Sequence, residues 1–159
     1  MKNLVIAIAV LITAQLSAQT HQIVKHNGEK LDINFIKLEN NLIHYSLPNR
    51  YEEQKISKYA VAELNEKSKT NHNVISEKIH AADKSDFKKV VVLKESETVG
   101  LKKMDTLNSF LGMIKNQSRL PLLKIGERRL KEKAALNGNP FIVIISNTSN
   151  KLKAVSYTY

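Results

Sequence analysis

A chain of 159 residues, 42% hydrophobic and 25% charged, has ordinary globular composition and room for one compact domain or two small ones. It contains no cysteine, which excludes disulfides, thiolate metal sites, cysteine nucleophiles and a lipid anchor on an N-terminal cysteine. The net charge of +10 is unevenly spread: residues 20–68 hold seven Lys/Arg against seven Asp/Glu, whereas residues 69–159 hold seventeen against eight, net +9.

Residues 1–18 are expected to be a signal peptide. Met1-Lys2-Asn3 is a short cationic start, residues 4–14 are an apolar run, and in "QLSAQT" Ala18 supplies the small residue that a signal peptidase needs. The run is shorter than the about twenty residues that span a bilayer. The mature chain would begin near Gln19 and work in the periplasm, on the outer membrane surface or in the medium. No later stretch is apolar for long enough to span.

Residues 20–65 carry strand signals throughout. "HNGE" places Asn27-Gly28 between two β-rich runs, a strong hairpin signal because both residues tolerate positive φ. Leu31, Ile33 and Phe35 alternate on one face. At Phe35-Ile36 the phase flips and Ile36 and Leu38 continue on the other parity, as a bulge would produce. "ENN" turns the chain, Ile43, Tyr45 and Leu47 alternate, "LPNRYEE" is a loop, and "QKIS" and "VAELN" are two further strands. Five short strands in this span predict a small all-β barrel. The order resembles SH3-like or Sm-like barrels and the N-terminal segment of exported Bacteroidetes proteins of unknown function. Sm-like relatives often bind RNA. Phosphate contacts dominate nucleic-acid affinity, so the neutral charge of this half argues against that role.

Residues 66–86 read as a linker or short connecting element. Ile75 and Ile79 fit either one helical turn or a short strand. Residues 87–159 read as a basic α+β domain, with one main helix packed on a sheet. Residues 90–93 are a buried-type strand, and "ETVGLKKM" reads as a second, with Gly100 at a bulge or close approach. Residues 105–119 stay ambiguous. Leu107, Phe110, Leu111 and Ile114 have helical spacing, but Asn108, Ser109 and Gly112 are poor helix formers. Pro121 suits the first turn of a helix whose apolar stripe is Leu123, Leu130 and Ala134. Asn137-Gly138 provides a left-handed stop and Pro140 prevents continuation. "FIVII" is a central strand and "LKAVSYTY" its hairpin partner.

The pattern "VVVL…VGL…RLKEKAAxxGxPFIV…VSYxY" resembles the C-terminal half of the same exported proteins. More remotely it is similar to YbjQ-like and RcsF-like envelope domains, where a helix ending in glycine feeds a strand. That resemblance implies a compact α+β domain, ring-forming in some relatives, so a homo-oligomer stays open. The heavy-metal label of YbjQ-like proteins and the disulfide-bonded, lipid-anchored design of RcsF-like ones do not transfer to a chain without cysteine or paired histidines.

The main helix carries the candidate anion-binding residues Lys124, Arg128, Arg129, Lys131 and Lys133. Lys124, Arg128 and Lys131 follow at i, i+4 and i+7 on one stripe; Arg129 and Lys133 flank it. The wet face of an α+β layer needs such a composition anyway. The concentration of +9 in one small domain favours an anionic partner as the alternative: a lipid head group, an acidic polysaccharide or, least, nucleic acid.

Catalytic and cofactor motifs do not assemble. The histidines at 21, 26, 44, 72 and 80 fall in separate segments, without the spacing of a metal site. "HNGEK" lacks the remainder of a P-loop, and no nucleophile elbow occurs. The Asn116 and Asn147 sequons sit among turn formers. The sequence predicts a non-catalytic exported envelope protein, an interaction or structural module, with a ligand sensor second and a small hydrolase third.

Overall fold

In the computed structural model, residues 20–69, 72–111, 119–148 and 151–159 are described. The expected signal peptide and the sequon at Asn116 lie outside them. The fold is α+β: two sheets and one main helix.

The first sheet contains β1 (His21–Lys25), β2 (Lys30–Glu39), β3 (Leu42–Ser46), β4 (Glu53–Ser57) and β5 (Val61–Glu66), in the order β4-β3-β2-β1-β5. Its turns follow from a few left-handed residues. Between β1 and β2 the Gly28 N–H donates to the Lys25 carbonyl at 2.9 Å, and the Lys25 N–H to the Glu29 carbonyl at 2.8 Å. Only Gly28, at φ 87°, is left-handed there, so the loop is three residues with a glycine bulge and not a two-residue turn. The two-residue turn falls instead at Asn40-Asn41, whose φ values of 51° and 63° are both positive. Asparagine tolerates this conformation because its short amide side chain can bond locally.

Register shifts between Phe35 and Lys37, where the sequence changes phase. The bulge does not carry Ile36 and Leu38 into the core, however; both stay about half exposed. Ile23, Ile33, Ile43, Ile56, Val61 and Leu64 form the first core. Each such side chain contributes roughly 1.5–3 kcal/mol on burial. Among the described residues the outer strands β4 and β5 pair with the sheet on one side only. Val74 bridges to Glu63 on the far side of β5, and Ile75 packs on the first core. Around Ile75 and Ile79 the connection thus forms neither a helical turn nor a full strand.

The second sheet has the order β6-β8-β9-β7, built from β6 (Val91–Val92), β7 (Lys102–Phe110), β8 (Phe141–Asn147) and β9 (Lys151–Thr158). β6 joins β8 in parallel, and the other pairings are antiparallel. The expected strand over "ETVGLKKM" is displaced. Residues Glu95–Thr98 form a 3-10 helix, and β7 begins only at Lys102. β7 also decides much of the ambiguous stretch: Leu107 and Ser109 point inward and Phe110 outward, the period of a strand.

The helix α1 (Arg119–Leu136) lays Leu130, Ala134 and Ala135 on one face of this sheet, against Leu107, Leu111, Ile142, Leu152 and Ala154. It ends as the sequence predicts. Gly138 has φ 71°, its N–H donates to the Ala135 carbonyl at 3.0 Å, and the Asn139 N–H donates to the Ala134 carbonyl at 2.9 Å. These are the two bonds of a Schellman cap.

The other face of the second sheet meets the first half. Phe141, Val143 and Leu93 pack with Tyr59, Ile79, Tyr157 and Tyr159, while Leu101 reaches both cores. The Ser57 N–H donates to the Val99 carbonyl at 2.8 Å, and Asn41 Nδ2 to Glu97 Oε1 at 2.7 Å. Gly100 is a close approach here: a Cβ on it would lie 2.7 Å from Ile56 Cγ1.

Candidate anion-binding cleft

The stretch before β6 folds into a 3-10 helix (Lys84–Lys89), where the sequence alone suggests only a linker running into a strand. Two aspartates hold it. Asp83 caps it by accepting from the Ser85 N–H at 2.8 Å; Asp86 accepts from the Ala82 N–H and pairs with Lys89 at 2.7 Å. The Ser85 amide keeps the Asp83 carboxyl below its usual range, and Lys89 does the same first of all for Asp86. Both therefore stay ionised where the turn needs an acceptor. Val90, 2% exposed, then plugs into the core beneath α1. This anchor sets Phe87 and Lys88 beside the helix.

Between these two elements lies a cleft of about 350 Å³, lined by Phe87, Lys88, Lys124, Glu127, Arg128 and Lys131. Arg128 lays its guanidinium over the Phe87 ring, 4.8 Å from the centroid, and bonds Glu132 at 2.8 Å. Lys131 pairs with Glu127 at 3.1 Å. Lys88 and Lys124, one from each wall, have no ion pair among the described residues.

The five predicted cations thus divide. Lys124, Arg128 and Lys131 enter the cleft. Arg129 and Lys133 leave it: Arg129 Nη1 donates to the Phe110 carbonyl at 2.9 Å, and Lys133 Nζ to the Asn108 carbonyl at 2.6 Å. They cover backbone acceptors on β7, the outer strand of the sheet, a protective role for long cationic side chains. Phe87, Lys88 and Glu127 were not singled out from sequence. The signal available for the first two was "DKSD", a capping aspartate with a second one three residues later.

Two other constellations differ in kind. A groove of about 550 Å³ on the first half is lined by His21, Phe35, Leu38, Leu64, Glu66, Lys69, His72, Asn73 and Ile75. Its polar groups are already matched internally, Lys69 pairing with Glu66 at 2.6 Å and His72 Nδ1 lying in hydrogen-bond contact with Glu63 at 3.0 Å. At the seam between the halves, His26 Nε2 lies 2.8 Å from Ser76 Oγ. That hydroxyl gives its proton to the Val61 carbonyl at 2.8 Å, so the imidazole is the donor to it and does not activate it as a nucleophile. Among the described residues, no group of three or more His, Asp or Glu could hold a metal ion, and no helix is long and apolar enough to cross a membrane.

No family model, no curated protein and no solved structure matches this chain.

Proposed function

We propose that this chain is a non-catalytic exported protein of the cell envelope, an interaction module that holds an anionic envelope component in the cleft between α1 and the 3-10 helix (Lys84–Lys89). The observation that carries the reading is that Lys88 and Lys124, which line one cleft from two different elements, have no acidic partner among the described residues. Most charged side chains around them are matched locally, as Arg128 with Glu132 and Lys131 with Glu127. Unmatched cations on both sides of a concavity raise the local concentration of anions. Export rests on the sequence of residues 1–18. The resemblance to exported two-part proteins and to YbjQ-like and RcsF-like domains supports the envelope setting. The bulged second strand supports an SH3-like barrel for the first half. The neutral charge of that half and its matched groove favour a scaffold role for it.

Retention on heparin or on anionic liposomes tests the proposal. The chain should be retained with a steep dependence on salt, as counterion release requires. Lys88→Ala/Lys124→Ala should elute at markedly lower salt. Unchanged elution of the double variant would contradict the reading.

A further inference from the structure

We infer that the cleft takes a compact phosphorylated sugar in preference to an extended polyanion, an inference that rests on the anion-binding reading above. Three features restrict the ligand. The first is size: about 350 Å³ lies at the small end of ligand pockets, enough for one ring and its substituents. The second is the sign pattern along α1. Lys124, Arg128 and Lys131 share their face with Glu127 and Glu132, so a polyanion laid along the helix meets a carboxylate at each turn. A compact ligand does not need to. Its anionic group can sit between Lys88 and Lys124 while its neutral part lies toward Glu127.

The third feature is the chemistry of the lining. Lysines contributed by two elements, Lys88 by the 3-10 helix and Lys124 by α1, suit a tetrahedral dianion, which presents oxygens in several directions; a phosphate monoester carries about −1.5 to −2 at neutral pH. A planar carboxylate offers two acceptor oxygens in one plane. Glu127 is an acceptor only, and its ionised oxygens are suited to sugar hydroxyls. Phe87 contributes an apolar wall, with Arg128 fixed across its face. Phosphate between the lysines and hydroxyls on the glutamate use Lys88, Lys124 and Glu127; the other two polar residues of the lining, Arg128 and Lys131, are already paired with Glu132 and Glu127. The same chemistry occurs on a free sugar phosphate and on a phosphoinositide-type head group.

Titration calorimetry of the whole chain with glucose 6-phosphate, inorganic phosphate and glucuronate tests this. Glucose 6-phosphate should bind about tenfold or more tighter than either of the others. Lys88→Ala/Lys124→Ala should abolish binding of both phosphates. Glu127→Ala should move the ligands in opposite directions: it frees Lys131, so inorganic phosphate binds more tightly, while the preference for the sugar ester disappears. Sedimentation with phosphatidylcholine vesicles, with and without phosphatidylinositol phosphate, identifies the carrier. Association that needs the phosphoinositide assigns a head group; binding of the soluble ester alone assigns a free sugar phosphate. Equal affinity for all three soluble anions, or a sugar preference that survives Glu127→Ala, overturns the inference. If heparin retention still depends on Lys88 and Lys124 in that event, the anion-binding reading stands without it. If that dependence fails too, both fall.

Discussion

Gly126 stands in the middle of α1, where helix propensity favours alanine by about 1 kcal/mol. Packing argues the opposite way. A Cβ at this position would run into the side chains of Leu111 and Leu152, both in the core beneath the helix. Overpacking typically costs about 1–3 kcal/mol. Gly126→Ala is therefore expected to destabilise in urea denaturation, despite its better propensity; a gain in stability would show that the helix can lift away. Gly138 works through its backbone. At φ 71° its nearest neighbour to an added Cβ is the Ala81 carbonyl oxygen at 3.8 Å, so space is adequate and the cost of a side chain is conformational. Gly138→Val should cost about 1–2 kcal/mol. The sequence announces Gly138 because Asn-Gly-Asn-Pro follows an apolar stripe directly. It does not announce Gly126, because close packing depends on residues 111 and 152, which are distant in the chain.

At the scale of elements, local chemistry was legible wherever one segment decided it. The bulge in β2, the helix stop and the β8–β9 hairpin all follow from neighbouring residues. The boundaries of β6 and β7 do not: "FKKVVVLKES" and "ETVGLKKM" have strand composition, yet each begins inside the end of a 3-10 helix, Lys84–Lys89 held by Asp83 and Glu95–Thr98 held by Glu97. Burial pushes the Glu97 carboxyl up. The Lys94 amide, the Asn41 side chain and the charges of Lys94 and Lys58 outweigh that and hold it below the usual range. The same distinction divides the basic stripe. Spacing alone groups Lys124, Arg128 and Lys131, but whether a stripe faces solvent or a second element is a tertiary fact, and the wall bearing Lys88 comes from that element. Arg128→Ala and Lys124→Ala should change stability by about 0.5 kcal/mol or less, read from urea midpoints. Arg129→Ala/Lys133→Ala should differ. It uncovers the Phe110 and Asn108 carbonyls beside an exposed Phe110 side chain, so self-association in sedimentation velocity should rise. A monomer at all concentrations would refute that edge role.

For the molecule as a whole, the seam joins what the charge distribution divides. Phe141, fully buried, contacts Tyr59 from the first half and Tyr159 at the end of the second; its rings lie 5.7 and 5.3 Å from theirs. Phe141→Ala should cost about 3–5 kcal/mol and lower the stability of both halves together, so that probes in each report one transition. Two separated transitions in the unsubstituted chain would show independent halves. The seam also carries an acid sensitivity. His26 packs on the Tyr159 ring, bonds Ser76 and lies near Lys78. Burial first, then the Lys78 charge, push its imidazole below the usual value. The folded state then binds fewer protons than the unfolded chain, so the stabilisation is complete above about pH 6.5 and declines as pH falls below it. Carboxylates such as Glu53, held low by His44, add their loss only in more acidic solution. His26→Gln should flatten the decline between those two ranges when urea midpoints are followed against pH. None of this seam was legible in sequence, because His26, Ser76, Phe141 and Tyr159 are brought together only by the packing of one sheet on the other.

The proposed binding surface depends on Lys88 and Lys124 and not on the total basic charge. This dependence is tested most directly by comparing two variants of equal charge, Lys88→Ala/Lys124→Ala and Arg129→Ala/Lys133→Ala, for the salt concentration at which each leaves a heparin column. Early elution is expected for the first and near-native elution for the second. Equal shifts in both would contradict it, because retention would then follow net charge alone.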